Sequence, residues 1–228
     1  MKHTATMDDA NHSFNDTVSV LRKHFTQINR QEPEQVKLAN EYYKWTTLKT
    51  NLILEEKLFQ IPPSALPNTI KRANYEWLHP EKQSIISRHY NYDKETDKYI
   101  ICTRKENVPQ EDIEIIVQAL VLVRKAVVWV DFGYNVGTEF GGRHPAIILK
   151  NLKDSLIVIP LSSKEPRTME YSVRVDKVYG YALMPRWANV TRITQVSLSR
   201  IHFEKIGDVK PYVLKQISEK LQVCGIIQ

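Results

Sequence analysis

The 228-residue chain is 42% hydrophobic and 25% charged, with only seven glycines, which excludes a fibrous or disordered protein and allows one large or two small cores. Its longest apolar run, IIVQALVLV at 115–123, is too short to cross a bilayer, and the polar start MKHTATMDDANHSFND has no signal-peptide h-region, so a cytoplasmic protein without a membrane partner is expected. The net charge of +6 is uneven: Arg124 to Gln228 holds 16 Lys/Arg against 9 Asp/Glu, so all of the basic excess lies there. A polyanion would be drawn to that half, although an ordinary solvated basic surface gives the same count.

Residues 1–31 are polar, with apolar periodicity only near Val18, Leu21 and Phe25, and predict a frayed segment with a short helix. From Pro33 to Phe59 the residues Val36, Ala39, Tyr43, Leu48 and Leu52 recur at helical spacing without an internal Gly or Pro, which predicts a long amphipathic helix. It is long enough for a coiled coil or a helix-in-groove contact, so dimerisation, autoinhibition and partner binding are all open. Three prolines in IPPSALPN end it. Thr69 to Leu78 predicts a short helix halted at His79-Pro80, and Tyr90 to Arg104 reads as a turn at 93–97 leading into a strand. Asn107 and Pro109 open a further helix, with Glu111 and Asp112 in its first turn, where the helix dipole favours negative charge. Its apolar face is Ile113, Ile116, Val117, Leu120 and Val121.

A β-branched and aromatic strand, Ala126 to Phe132, follows almost at once. This places a domain boundary near Arg124, with residues 1–124 mainly helical and 125–228 a second domain. Further strands are expected at Pro145–Lys150, Ser155–Pro160, Glu170–Val175, Val190–Val196 and Ser199–Phe203, then a helix over Lys210–Val223 with Val213, Ile217 and Leu221 on one face. Short, turn-punctuated strands with one terminal helix predict an α+β chain whose second half is a small antiparallel β-barrel rather than a parallel sheet.

No Walker loop, dinucleotide-type glycine turn, HExxH or CxxC occurs, which argues against nucleotide hydrolysis and zinc chemistry. Cys102 and Cys224 lie far apart without ligand-type neighbours and read as reduced thiols, so neither a metal nor a cofactor is expected. The informative stretch is Val127 to Lys150, VVWVDFGYNVGTEFGGRHPAIILK. Gly133, Gly137, Gly141 and Gly142 fall in one loop between two strands, which suggests backbone that turns sharply or approaches a ligand closely. Tyr134 and Phe140 offer faces for stacking bases, Arg143 a fixed positive charge, and His144 a group that titrates near neutrality. A plain glycine-rich hairpin with an exposed Arg and His would carry the same residues.

The strand ending W-V-D-F, followed by V-G-T-E-F-G-G-R-H-P-A-I-I-L, resembles the first strand, loop and second strand of the MazF/PemK ribonuclease toxins. Val158 to Ser163 (VIPLSS) is similar to that family's strand ending in a Thr or Ser pair, and Thr191 to Ile201 (TRITQVSLSRI) resembles a later family segment. The likeness spans about Lys125 to the C-terminus. It implies metal-independent cleavage of single-stranded RNA, by attack of the ribose 2′-hydroxyl on the adjacent phosphorus to leave a 2′,3′-cyclic phosphate and a 5′-hydroxyl. A homodimer and a neutralising antitoxin protein are implied as well. The family carries an Arg directly before the proline; here His144 precedes Pro145 and Arg143 lies one position earlier. If the loop is still irregular at Arg143, its side chain reaches the phosphate while His144 moves protons. If the strand has begun, only one of the two faces the cleft, and the family position favours His144. The implied catalytic set is thus Arg143, His144 and Ser162, with Ser162 donating to a phosphoryl oxygen. Tyr134, Phe140, Gly142, Ser163 and Gln195 are the implied substrate contacts, joined by Glu139 as a group that positions the base or the 2′-hydroxyl.

Other readings compete. Arg72 and His79 in RANYEWLH have a spacing reminiscent of the HEPN ribonuclease motif, but Pro80 follows at once and the match stands alone. Trp187 in MPRWANV serves either as a stacking platform or as half-buried packing. The gyrase-inhibiting CcdB toxins share the barrel and act through a terminal Trp-Gly-Ile, whereas this tail reads Cys224-Gly225-Ile226-Ile227 without the Trp. A catalytically degenerate, nucleic-acid-binding regulatory module is the other alternative.

Overall fold

The computed structural model describes residues 7–55, 59–134 and 140–225, which fall into two units, Met1–Ile53 and Leu54–Gln228. Two helices form the first: α1 (Met7–Gln27) and α2 (Pro33–Glu55). The first is longer than the short helix expected, because no Gly or Pro interrupts it and its last turns find partners. His24 Nδ1 lies 3.1 Å from the Tyr43 hydroxyl, and the Phe25 and Tyr43 rings are 6.4 Å apart. Pro33 opens α2 at its first position, where a missing N–H costs nothing. The spacing predicts a helix to Phe59; residues 56–58 lie outside the described residues, and Phe59 itself is not helical.

The second unit begins with a small sheet. Strands β1 (Thr69–Lys71), β2 (Tyr90–Asp93) and β3 (Lys98–Ile101) pair antiparallel in the order β1-β3-β2. Sequence periodicity predicts one helix over 69–78. Instead only α3 (Arg72–Glu76) is helical, because Ile70 is buried and its strand pairs with β3. The sequence pattern likewise predicts no strand before the 93–97 turn, where β2 forms by pairing with β3. Asp93 holds that turn, accepting from the Glu95 N–H at 3.1 Å and the Thr96 hydroxyl at 2.6 Å. Pro80 starts helix α4 (Pro80–Ser87) rather than merely ending its predecessor. Helix α5 (Gln110–Leu120) buries Ile113, Ile116 and Val117 as its spacing predicts. Asp112 is buried too, 2.8 Å from His89 Nε2.

The main sheet comprises β4 (Ala126–Asp131), β5 (Arg143–Asn151), β6 (Ser155–Ser162), β7 (Ser172–Val175), β8 (Arg186–Asn189), β9 (Thr194–Ser197) and β10 (Ile201–Asp208). All its pairings are antiparallel, in the order β10-β4-β5-β6-β8-β7, with β9 beside the first half of β6. The expected barrel does not close. β10 and β7 end the path, and among the described residues the isolated Tyr179–Asp208 bridge and the Tyr181 hydroxyl, donating to the Lys205 carbonyl at 3.0 Å, link the two flanks. Gly207 permits that approach, since a Cβ there would lie 2.3 Å from the Tyr179 carbonyl oxygen. Helix α6 (Pro211–Val223) follows, burying Val213, Ile217 and Leu221 as expected.

Strands β4, β5 and β6 are buried on both faces. Val128, Val130, Ala146, Ile148 and Val158 join one core with Ile70, Ile86, Ile113 and Ile116; Val127, Ile147, Ile159 and Leu161 join another with Val213, Ile217 and Leu221. Each fully buried Ile or Leu contributes about 1.5–3 kcal/mol. The boundary expected near Arg124 falls inside this unit, because residues 61–122 supply half of the first core. Among the described residues no helix is long and apolar enough to cross a membrane, and Cys102 and Cys224 are free thiols.

Candidate active site

The loop between β4 and β5 is pinned at its base. The Phe132 N–H donates to the Gly142 carbonyl at 2.9 Å, and the Gly142 N–H to the Gly133 carbonyl at 2.6 Å. Gly133 and Gly142 hold φ of 91° and 83°, a region that side chains with a Cβ enter only at a cost. Residues 135–139, which include Gly137 and Glu139, lie outside the described residues. The pin starts the ladder at Asp131 opposite Arg143 and Val130 opposite His144. The strand has therefore begun at Arg143, and these two neighbours point to opposite faces.

His144 shares its face with Val130 and Ala146. Ala146 pairs with Pro160 at the end of the β5–β6 ladder, and alternation along β6 puts Ser162 on the same face as Pro160 and His144. The half-buried His144 ring lies against Phe140, with centroids 4.4 Å apart, and Phe140 meets Phe132 edge-on at 5.4 Å. The Arg192 guanidinium sits 5.0 Å over the Phe140 ring. Burial pushes the His144 imidazole below its ordinary pKa and the charge of Arg192 acts in the same direction, while hydrogen bonds to the backbone of Gly141 and Leu161 only partly oppose them. The neutral ring, able to accept a proton, is favoured at neutral pH.

Arg192 ends a single 3-10 turn, Val190–Arg192, capped by the Asn189 side chain, which accepts from the Thr191 N–H at 2.9 Å. Beside it a pocket of about 210 Å³ is bordered by Ser162, Lys164, Trp187, Asn189 and Arg192. Trp187 sits opposite Ser162 in the β6–β8 ladder and is 8% exposed, yet its buried Nε1–H has no hydrogen-bond partner. Leaving such a donor unmet costs about 1–3 kcal/mol. The Ser162 hydroxyl accepts from the Lys164 N–H at 3.0 Å and donates to the Lys164 carbonyl at 3.2 Å, so it holds the turn out of β6.

Arg143, expected in the same cleft, is directed to the other face. Its guanidinium lies 3.5 Å from the Glu204 carboxylate and 5.7 Å over Trp129, which stacks on Tyr181 at 5.9 Å. On this side His202 Nε2 also approaches Asp131 Oδ2 to 2.6 Å. Gln195 is separate as well: it pairs with Ile157, five residues before Ser162, and its amide donates to the Ser155 hydroxyl at 2.7 Å. Ser163 is exposed in the bend after β6, Tyr134 is partly exposed at the start of the loop, and Phe140 and Gly142 flank His144. Arg72 is occupied by Glu76 at 2.6 Å and His79 lies near Glu81 at 3.7 Å, so the HEPN-like pair shares no partner among the described residues.

Sequence reading passed over Arg192. No local pattern separates it from other surface arginines; only its place in the Thr191–Ile201 stretch hinted at it. With His144 it makes the arrangement capable of acid–base work on a phosphodiester: a neutral imidazole and a guanidinium on one side of the sheet.

Residues 123–224 match the family model of the PemK-like, MazF-like toxins of type II toxin-antitoxin systems. Among solved structures the chain is similar to MazF from Deinococcus radiodurans at 19% identity and a TM-score of 0.40, over 47% of this chain and 98% of that one. It is also similar to an endoribonuclease in complex with its cognate antitoxin from Mycobacterial species, at 18% identity and a TM-score of 0.36, over 46% and 97% of the two chains. A MazE-MazF structure from Deinococcus radiodurans gives 18% identity and a TM-score of 0.35, over 45% and 95%. No curated protein sequence matches the chain.

Proposed function

We propose that this chain, whose residues 123–224 are a PemK-like, MazF-like toxin domain, is an endoribonuclease that cleaves single-stranded RNA and is neutralised by an antitoxin protein. The observation that carries the reading is the convergence of His144, Ser162 and Arg192 on one face of the sheet within the matched span. Neutral His144 accepts the proton of the ribose 2′-hydroxyl as that oxygen attacks the adjacent phosphorus. The bond to the 5′-oxygen breaks, the leaving oxygen takes a proton from solvent, and a 2′,3′-cyclic phosphate and a 5′-hydroxyl result. Arg192 faces the charge that builds on the phosphoryl oxygens, and Ser162 holds the turn beside it. No step calls for a metal ion.

The test is cleavage of an RNA oligonucleotide by the full chain in excess EDTA, with fragment ends read by mass. Cyclic-phosphate ends that vanish in His144→Ala support the reading; no cleavage, or cleavage that survives in His144→Ala, ends it. A second reading, an RNA-binding domain without activity, draws on Ser162, whose hydroxyl is already taken up by Lys164. Tight RNA binding without any cleavage is its signature. The antitoxin and a homodimer belong to the same proposal, and size measurement with and without a co-expressed partner addresses both.

A further inference from the structure

Away from His144, a cleft of about 760 Å³ opens between the small sheet, the end of α5 and the last residues of β10. Lys71, Lys98, Lys105 and Lys125 border it, together with Asn74 and Trp77. Among the described residues the one acid on its lining is Asp208, 3.7 Å from Lys125. Lys105 donates to the Leu66 carbonyl at 2.5 Å, which keeps its charge at the wall.

Two observations single this cleft out. Lys71 and Lys98 are directly opposite in the β1–β3 ladder, which sets two positive charges side by side at the cleft, while Asp93 faces Lys98 from β2 on its other side. Trp77 is 89% exposed at the cleft, although burying so large a ring is strongly favourable. A flat apolar face beside concentrated positive charge is what single-stranded nucleic acid requires: lysines meet phosphates and an aromatic ring meets a base. An acidic peptide would use the lysines and leave the tryptophan idle.

We propose that this cleft is a second binding site for single-stranded RNA, with phosphates held by Lys71 and Lys98 and a base stacked on Trp77. The RNA class rests on the function proposed above; the charge, shape and exposed ring of the cleft do not. Phe203 and Ile206, at its edge, pack with the same core as Val130, the ladder partner of His144. Strand spacings put Gly207 and His144 roughly 15 Å apart, so one short strand can reach both. The site belongs to residues before 123 as much as to β10, and gives the segment outside the matched family span a task in holding substrate.

The experiment measures binding of a fluorescent, uncleavable 2′-O-methyl RNA of about nine nucleotides to the full chain by anisotropy, at several salt concentrations. Lys71→Gln/Lys98→Gln is expected to flatten the slope of log K against log salt by about 1.4, and Trp77→Ala to weaken binding about 5- to 150-fold. Both variants change exposed or half-exposed side chains, and unchanged thermal melting checks their folding. Binding by the parent that neither variant alters overturns the proposal, as does displacement by polyglutamate where unlabelled RNA fails to compete. RNA held through these residues by a chain that never cleaves leaves this site standing and removes the catalytic reading instead.

Discussion

Arg143 and His144 are adjacent in sequence and belong to different surfaces. On the His144 side lie a half-buried ring, an aromatic neighbour, a guanidinium and an unpartnered indole N–H. On the Arg143 side the cation is already engaged by Glu204 and Trp129, and the nearby histidine by Asp131. The cation beside His144 rests on an aromatic ring, whereas Arg143 is matched by a carboxylate. A guanidinium held against a ring is the better placed of the two to meet an incoming phosphate.

The comparison is broken most directly at His144. His144→Ala is expected to slow RNA cleavage by about 10² to 10⁴-fold and to abolish the acidic limb of the pH–rate profile, read by initial rates between pH 5 and 8. That limb should lie below the ordinary histidine value of 6.5, because burial and Arg192 favour the neutral ring. The same direction bears on stability. With the folded pKa depressed, the unfolded chain binds the extra proton as pH falls through 6.5, so this group's influence weakens the fold towards acid.

Arg192→Ala comes next, with a loss of about 10²-fold. It sharpens the comparison in a second way: without that charge the His144 limb should move to higher pH, whereas a purely structural arginine would leave the limb in place. Gly207→Ala should cost about 1–3 kcal/mol in thermal or denaturant unfolding, because its Cβ would collide with the Tyr179 carbonyl and the Tyr181 ring on the opposite flank. The smallest effect is expected from Arg143→Ala: less than about 1 kcal/mol in stability, as for other solvent-exposed ion pairs, and little change in cleavage. A large catalytic loss in Arg143→Ala would reverse the assignment of the two faces.

Much of the second half was legible because apolar runs and turn residues bound β4, β5, β6 and α6 closely. The three-stranded sheet was not, since Thr69–Lys71 and Tyr90–Asp93 are short, largely polar strands that exist only because Lys98–Ile101 lies between them. Sequence narrowed the catalytic choice to Arg143 or His144 and stopped there, because the answer hung on which residue begins a strand. That is decided by two backbone hydrogen bonds at Gly142, invisible in any pattern of side chains. Arg192 escaped notice for a related reason: a single 3-10 turn between two strands sets where it points.

Because β4, β5 and β6 meet apolar cores on both sides, alternation of apolar and polar residues cannot fix how they slide past one another. A slip of one residue would bury nearly the same hydrophobic area, yet would exchange Arg143 and His144 between the two surfaces. Alignment must be held from the ends of the strands. The Gly142 hydrogen bonds hold one end, and the Asn151 side chain, donating to the Leu122 carbonyl at 2.9 Å and accepting from the Lys153 N–H at 2.8 Å, holds the other. A substitution such as Asn151→Leu, distant from any reacting atom, would then act on chemistry by letting the sheet shift its phase and presenting a permanent cation where a proton acceptor belongs.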